Sequence, residues 1–521
     1  MRYLFLLLFL PHGACSQPTA QDSVPCFDEP FGYGVNLGYF PPHFEDKALA
    51  ALVHGTPDGA EAGTGINTIR PGLYAHFLEQ WGYDARLPHF EYYKKIGLDN
   101  IVAIIGFPSE KQRDTILYDL KNPSALFRNL YEPIWDNGAN GTPINENNPY
   151  AVYVWKMARM YKGLIKIWEV WNEPDYGLQG NEWKAKGQPG NWWENNPTPA
   201  ETNLHAPIFG YIRTLRISYE VIKSIDPQAL VAVGGLGWPP YLDAICRNTD
   251  NPDNGVVKDE FPLKGGAYFD CMSYHCYPHL DNSTRQWSNT LNGFKYTRHS
   301  DAAVAGLWQK KRDFDVVLNK HGFNNRVYPK KHWICTEYNV PRKRFGEYMG
   351  SDLAQINFVI KSLVTAQVQG VAQMHLYSLA DDQPEATATG EFAYMGLFKN
   401  LNGVKKGAAE PNLEAFAVHT TALLLDSTRY DSIQTSRLNI PKDLDGAAFK
   451  KTNGQFVYVL WARTQTDLEE TAQGSFTFPA NMEPKKLRKY AWDYSKTRQS
   501  EVQEGKTVLL NGSPVFLVPD L

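Results

Sequence analysis

The stretch Ile165-Lys166-Ile167-Trp168-Glu169-Val170-Trp171-Asn172-Glu173-Pro174-Asp175 decides the fold. A short apolar, β-branched and aromatic run stops abruptly at polar residues and a proline. It reads as a buried strand, Ile165–Trp171, that ends in a carboxylate. A second stretch repeats the design: His332-Trp333-Ile334-Cys335-Thr336 leads into Glu337, Tyr338 and Asn339. Outward from these two, short apolar runs alternate with longer helical patterns from about residue 30 to 380. The candidate strands are Tyr33–Tyr39, Gly65–Arg70, Asn100–Gly106, Ile165–Trp171, Leu230–Gly234, Cys271–His275, His332–Glu337 and Val371–Tyr377. Eight strands with helices between them predict an α/β fold, a closed (β/α)8 TIM barrel.

Two helices test that reading. Ile208, Tyr211, Ile212, Leu215, Tyr219 and Ile222 recur at three- and four-residue spacing, and Asp226-Pro227 stops the pattern. Leu353, Ile356, Ile360, Leu363, Val364 and Val368 do the same before Gly370. After residue 395 one helical stretch, Leu413–Leu425, gives way to period-two segments at Gln455–Trp461, Gly474–Phe478, Leu487–Trp492 and Pro514–Val518. Residues 426–521 are therefore expected to form a C-terminal antiparallel β-sandwich behind a barrel spanning 17–425, and residues 18–30 are expected as an added strand.

Composition narrows the function. The 521 residues carry 52 Lys+Arg against 56 Asp+Glu, a formal net charge of -4, which gives no footprint for nucleic acid. Hydrophobic residues make up 43% and aromatics 13%, too many for a disordered chain. No P-loop, no GxGxxG after the first strand and no metal-ligand cluster appears, so neither nucleotide, cofactor nor metal is expected. Met1-Arg2-Tyr3, the apolar run Leu4–Leu10 and the small residues Ala14 and Ser16 read as a signal peptide, residues 1–16, cleaved after Ser16. The expected location is secreted, periplasmic or cell-surface. Cys15 offers a rival reading as a lipidated cysteine, the one route to membrane contact. Cys26, Cys246, Cys271, Cys276 and Cys335 then remain, an odd count, expected as buried thiols with at most one disulfide. Asn140, Asn282 and Asn511 head glycosylation sequons that matter only in a eukaryotic source.

In such a barrel the chemistry sits at the C-terminal strand ends. Strands four and seven face each other across the barrel and bring Glu173 and Glu337 to one mouth. Two opposed carboxylates suit glycosidic bond cleavage: one protonates the departing oxygen, the other attacks the anomeric carbon, and water then releases the sugar. Their pKa values must be held apart for the roles to divide. Trp171-Asn172-Glu173-Pro174 resembles the Asn-Glu-Pro signature of clan A retaining glycoside hydrolases. Within that clan the barrel with a trailing sandwich is most similar to family 39, which includes β-xylosidases and α-L-iduronidases.

The resemblance implies Glu173 as acid/base, Glu337 as nucleophile and Asn172 as the residue that binds the sugar 2-hydroxyl. It also places Arg70 near the nucleophile, His275 and Tyr277 at the end of strand six, and Tyr377 where the clan usually has a tryptophan beneath the sugar. Glu169, four residues before Glu173, is expected lower in the barrel in an ion pair, and Asp175 as a cap for the next turn. The long loop 176–206 carries Trp183, Trp192 and Trp193, of which Trp192 is the candidate sugar-stacking residue. Loop 278–300 carries His279, Trp287 and Tyr296. Arg342-Lys343-Arg344 would suit an acidic sugar. A carbohydrate is the expected partner. A transglycosylase using the same residues and a non-catalytic carbohydrate-binding protein remain as alternatives.

Overall fold

A computed structural model describes residues 23–177, 180–281, 283–482 and 486–519. The signal peptide, Cys15 and Asn282 lie outside the described residues. The barrel strands are β1 (Gly32–Val35), β2 (Thr68–Ile69), β3 (Gly72–Tyr74), β4 (Val102–Gly106), β5 (Ile167–Val170), β6 (Leu230–Val233) and β7 (Cys271–Cys276). A hairpin follows, β8 (Arg285–Ser288) and β9 (Gly293–Tyr296), and then β10 (His332–Tyr338) and β11 (Gln373–Leu376) complete the ring. The parallel sheet runs β2-β1-β11-β10-β7-β6-β5-β4-β3.

The expected single second strand is broken. Pro71 follows Arg70 and has no N–H to give to a ladder, so the strand splits into β2 and β3. The two halves face opposite neighbours: Arg70 N donates to Val35 O at 3.3 Å on one side, and Ile104 N donates to Pro71 O at 3.0 Å on the other. The edges of the sheet are thus consecutive in the chain, and the barrel closes through this break.

The two test helices run Ile208–Ile225 and Asp352–Val368, as the periodicity predicts. Alternation sorts the strands into layers. Val102, Ile167, Leu230, Ala232, Cys271 and Ile334 fill the lower interior, with Phe27 packed against them. In β7, Cys271 belongs to that layer while Met272, Tyr274 and Cys276 face the surrounding helices. All five described cysteines are unbonded, so no disulfide forms among them; four are buried as expected, but Cys26 is exposed, and Cys246 sits on a helix rather than a strand.

The C-terminal strands are β12 (Thr428–Tyr430), β13 (Leu444–Lys451), β14 (Phe456–Ala462), β15 (Gln473–Thr477), β16 (Lys486–Tyr490), β17 (Ser500–Glu504), β18 (Thr507–Asn511) and β19 (Val515–Pro519). Six form one antiparallel sheet, β12-β13-β14-β19-β16-β17, and β15 pairs with β18. β14 shows why a period of two is needed here. Tyr458, Leu460 and Ala462 face the core shared with Phe476 and Val508, while Val457, Val459 and Trp461 join the core of the barrel. One sheet therefore has two buried faces. Residues 23–30 form no strand; Asp28 meets Arg429 in an exposed ion pair at 2.7 Å, and Pro25 O accepts from His332 at 2.7 Å.

Candidate active site

Above the apolar layer the interior turns polar, and the alternation that built the barrel aims the site. In β7 and the residue after it, Ser273, His275 and Tyr277 share the inner face with Cys271. In β10, Ile334 and Thr336 face inward, so Glu337 would point outward in a regular strand. It does not, because the pairing with β7 shifts between Cys335 and Glu337. Such an irregularity re-aims a side chain, and here it sends two consecutive residues into the barrel. Strand β5 solves the same problem differently. Beyond Val170 the backbone takes positive φ at Trp171 (77°) and Glu173 (46°). These conformations cost roughly 1–3 kcal/mol each and persist only when held. Trp171 N donates to Ile105 O at 2.9 Å and Glu173 N to Gly234 O at 2.7 Å, which holds them.

Arg70 is the hub. Its Nε donates to Glu169 Oε2 at 2.5 Å, Nη1 to Glu337 Oε1 at 2.7 Å and Asn36 Oδ1 at 3.1 Å, and Nη2 to Asn172 Oδ1 at 2.7 Å. Burial opposes its charge, but the flanking carboxylates Glu169 and Glu337 outweigh that and push its pKa up. Tyr277 Oη donates to the other oxygen of Glu337 at 2.7 Å, and burial, then the neighbouring carboxylate, keeps this phenol protonated far above its ordinary range. Glu337 thus accepts a charged donor on one oxygen and a neutral donor on the other.

Glu173 has a different partner. His275 Nδ1 lies 2.8 Å from Glu173 Oε1, and His275 Nε2 lies 3.0 Å from Thr336 Oγ1. Thr336 Oγ1 donates to Glu169 Oε1 at 2.8 Å, and Ser273 Oγ donates to the same oxygen at 2.6 Å. With its only proton aimed at Glu169, the threonine hydroxyl must accept from His275. Nε2 therefore carries a proton, and Nδ1 either accepts from a protonated Glu173 or donates to its carboxylate. Burial disfavours a charged imidazole, yet Glu337 and Glu173 outweigh it and raise the His275 pKa. Burial likewise opposes a charged Glu173, but the bond and charge of His275 lower it. Each member of the pair thus favours the charged form of the other.

One oxygen from each of Glu173 and Glu337 and a ring nitrogen of His275 lie within 4.8 Å of one another. They are the one group of metal-type donors this close among the described residues, but Arg70 and Tyr277 already donate to Glu337, and Glu173 and His275 Nδ1 face each other at 2.8 Å.

The remaining expectations divide. Asn172 is half-buried beside Glu173, as expected, and Glu169 is the buried partner of Arg70. Tyr377 lies edge-on to Tyr277 at 6.2 Å and to Phe392 at 5.6 Å, forming an aromatic corner beside Glu337. Trp192 is not at the mouth. It is fully buried, packs on Tyr241 at 5.9 Å and donates to Glu201 at 3.4 Å, so it anchors its loop. Two of the three cations of the basic run have carboxylate partners, while Arg344 is exposed and, among the described residues, bonds only Gly346 O. Arg342 makes two bonds to Asp381, at 2.7 and 2.8 Å, in a buried pair, and Lys343 pairs with Glu385. Asp175 does not cap the next turn: it is buried, and its Oδ2 accepts from Gly237 N at 2.8 Å and Trp238 N at 2.7 Å, 62 and 63 residues on. Sequence reasoning missed Asn36, Thr336 and Lys310. Asn36 and Thr336 are polar residues at strand ends and were open to the same rule that found Arg70. Lys310 reaches in from an outer helix, which no local pattern signals.

No family model matches the chain, and neither does any curated protein. Solved structures do. The fold is a (β/α)8 barrel with an antiparallel β-sandwich, and glycoside hydrolases are among the solved structures it resembles. A family 39 glycoside hydrolase from the gut symbiont Bacteroides cellulosilyticus WH2 superimposes with a TM-score of 0.59 at 14% identity, over 94% of this chain and 81% of that one. A conserved exported protein from Bacteroides fragilis gives 0.52 at 10% identity, over 96% and 99%. A monomeric β-xylosidase from Caulobacter crescentus CB15 gives 0.50 at 13%, over 97% and 99%.

Proposed function

We propose that the protein is an exported glycosidase of the clan A type that cleaves a neutral glycan with retention of anomeric configuration. The observation that carries this reading is that one oxygen of Glu173 and one of Glu337 face the same nitrogen, His275 Nδ1, at 2.8 and 3.7 Å, which leaves little room for a water between the two carboxylates. Retention needs carboxyl groups about 5–5.5 Å apart, whereas inversion needs roughly 6.5–9.5 Å to admit a water.

In this mechanism Glu337, oriented by Arg70 and Tyr277, attacks the anomeric carbon as the bond to the leaving oxygen breaks. Glu173 delivers its proton to that oxygen. The proton is at hand in the 2.8 Å contact with His275, and it moves to Glu173 as the substrate displaces water from the mouth. The leaving alcohol departs, Glu173 then takes a proton from water, and the hydroxide displaces Glu337 from the sugar. Asn172, fixed by Arg70, is placed to meet a hydroxyl beside the anomeric carbon. The pairing of Arg342 and Lys343 with carboxylates takes up two of the three cations that would suit a uronate, which supports a neutral sugar. The N-terminal apolar run with small residues after it supports export.

The test is a screen of aryl glycosides and oligosaccharides with product analysis, followed by Glu337→Gly with azide. The expected product is a glycosyl azide of inverted configuration. Hydrolysis that survives Glu337→Gly intact would refute the assignment.

A further inference from the structure

The acid/base turn is physically tied to a pair of indoles. Asp175 stands two residues after Glu173, and its buried Oδ2 accepts the backbone N–H groups of Gly237 and Trp238. Its other oxygen, Oδ1, is buried without a partner. Trp238 is half-buried and meets Trp183 edge-to-face, with ring centroids 4.2 Å apart and planes at 66°. Lys310 Nζ lies 5.5 Å from the Trp238 ring and is itself bound to Asp281 at 2.7 Å, so this cation is already paired. Trp183 is 50% exposed. Trp183 thus stands half in water against a partner whose backbone is held by a buried carboxylate, a large amphipathic surface of the kind found where one side of a ring is packed and the other open.

We propose that Trp183, backed by Trp238, is the platform for the leaving-group sugar of a neutral glycan, and that Asp175 is the residue that positions it. The proposal rests on the assignment of Glu173 as the acid. The acid protonates the oxygen of the leaving group, so the ring attached to that oxygen must lie on the Glu173 side of the mouth. That is the side to which Asp175 ties Trp238. An indole face matches the CH face of a pyranose and makes no demand on its charge. Lys310 is satisfied by Asp281, so the cation beside Trp238 does not call for a carboxylate on the sugar.

The test compares two substrates of the sugar found by screening: its glycosyl fluoride, whose leaving group is too small to occupy the platform, and its disaccharide. In Trp183→Ala the ratio of kcat/KM on the disaccharide to that on the fluoride should fall roughly tenfold, about 1.4 kcal/mol of selective binding. Asp175→Leu should lower the same ratio, and Asp175→Asn, which keeps the acceptor oxygen, should restore it. An unchanged ratio in Trp183→Ala would overturn the platform. A second measurement does not need turnover: calorimetric titration of Glu337→Gln with xylotriose, cellotriose and trigalacturonate, with and without Trp183→Ala. Weaker binding of the neutral trisaccharides in the double variant is expected. Tighter binding of trigalacturonate would overturn the neutral class. A protein that binds through Trp183 yet hydrolyses nothing would leave the platform standing and reject the glycosidase reading.

Discussion

The two carboxylates at the mouth are built to opposite specifications. Glu337 is 12% exposed and receives two fixed donors, Arg70 and Tyr277, one on each oxygen. Glu173 is 31% exposed and faces a histidine that can either give or take a proton. Their backbones differ as well: a ladder irregularity aims Glu337, while positive φ angles aim Glu173. The contrast shows how one fold divides acid and nucleophile between identical residues. The division comes from the neighbours, donors that never leave on one side and a proton-sharing partner on the other.

The largest effect should follow removal of the hub. Arg70→Met leaves Glu169 and Glu337 buried without their cation, which should cost about 3–5 kcal/mol of stability and abolish turnover. Urea denaturation and activity together check this; a variant that is stable and active would break the comparison, because the nucleophile side would then need no clamp. Next comes the acid side. Glu173→Ala should slow hydrolysis of an oligosaccharide by roughly 10²–10⁴-fold, and hydrolysis of a 2,4-dinitrophenyl glycoside far less, because that leaving group needs no proton. Equal losses on both would show that Glu173 does not act as the acid.

Much of this contrast was legible before any coordinates. The (β/α)8 order followed from alternating runs, Glu173 and Glu337 from the carboxylates at two strand ends, and Arg70, His275 and Tyr277 from strand ends read beside the family resemblance. What escaped was three-dimensional. Trp192 and Trp183 look alike in one loop, yet one is buried on Tyr241 and the other half exposed, because burial depends on partners distant in sequence. Arg342 read as a cation for an acidic sugar, but its partner Asp381 lies 39 residues away. The split at Pro71 was open to inspection, since proline cannot serve a central ladder. The shift at Cys335–Glu337 leaves no mark in composition.

The histidine relay gives the third test. Thr336→Val keeps the shape of the side chain and removes the acceptor of His275 Nε2–H. The charged imidazole loses a hydrogen bond that favours it, so its raised pKa should drop. The alkaline limb of the kcat/KM profile should therefore move to lower pH, with a loss of about tenfold at neutral pH and less under acid conditions. A uniform loss at every pH would mean that Thr336 serves packing alone.

The smallest effect concerns Asp175, and its sign is opposite to that of a salt-bridged carboxylate. Burial raises its pKa to about 7, against an ordinary value of 3.8, although the Trp238 and Gly237 N–H groups and nearby Lys310 favour the charged form and Glu173 opposes it. Folding therefore prefers protonated Asp175. The stability it contributes is complete below pH 3.8 and is lost as pH rises through about 7. Asp175→Asn keeps an acceptor for both backbone N–H groups and cannot ionise. Relative to that variant, the natural protein should lose roughly 1–3 kcal/mol between pH 4 and pH 8, read as a widening gap in Tm. Parallel Tm curves would show that Asp175 stays ionised throughout. The turn beyond Glu173 would then carry a second permanent anion, and the proton held between Glu173 and His275 would have to be explained with that charge beside it.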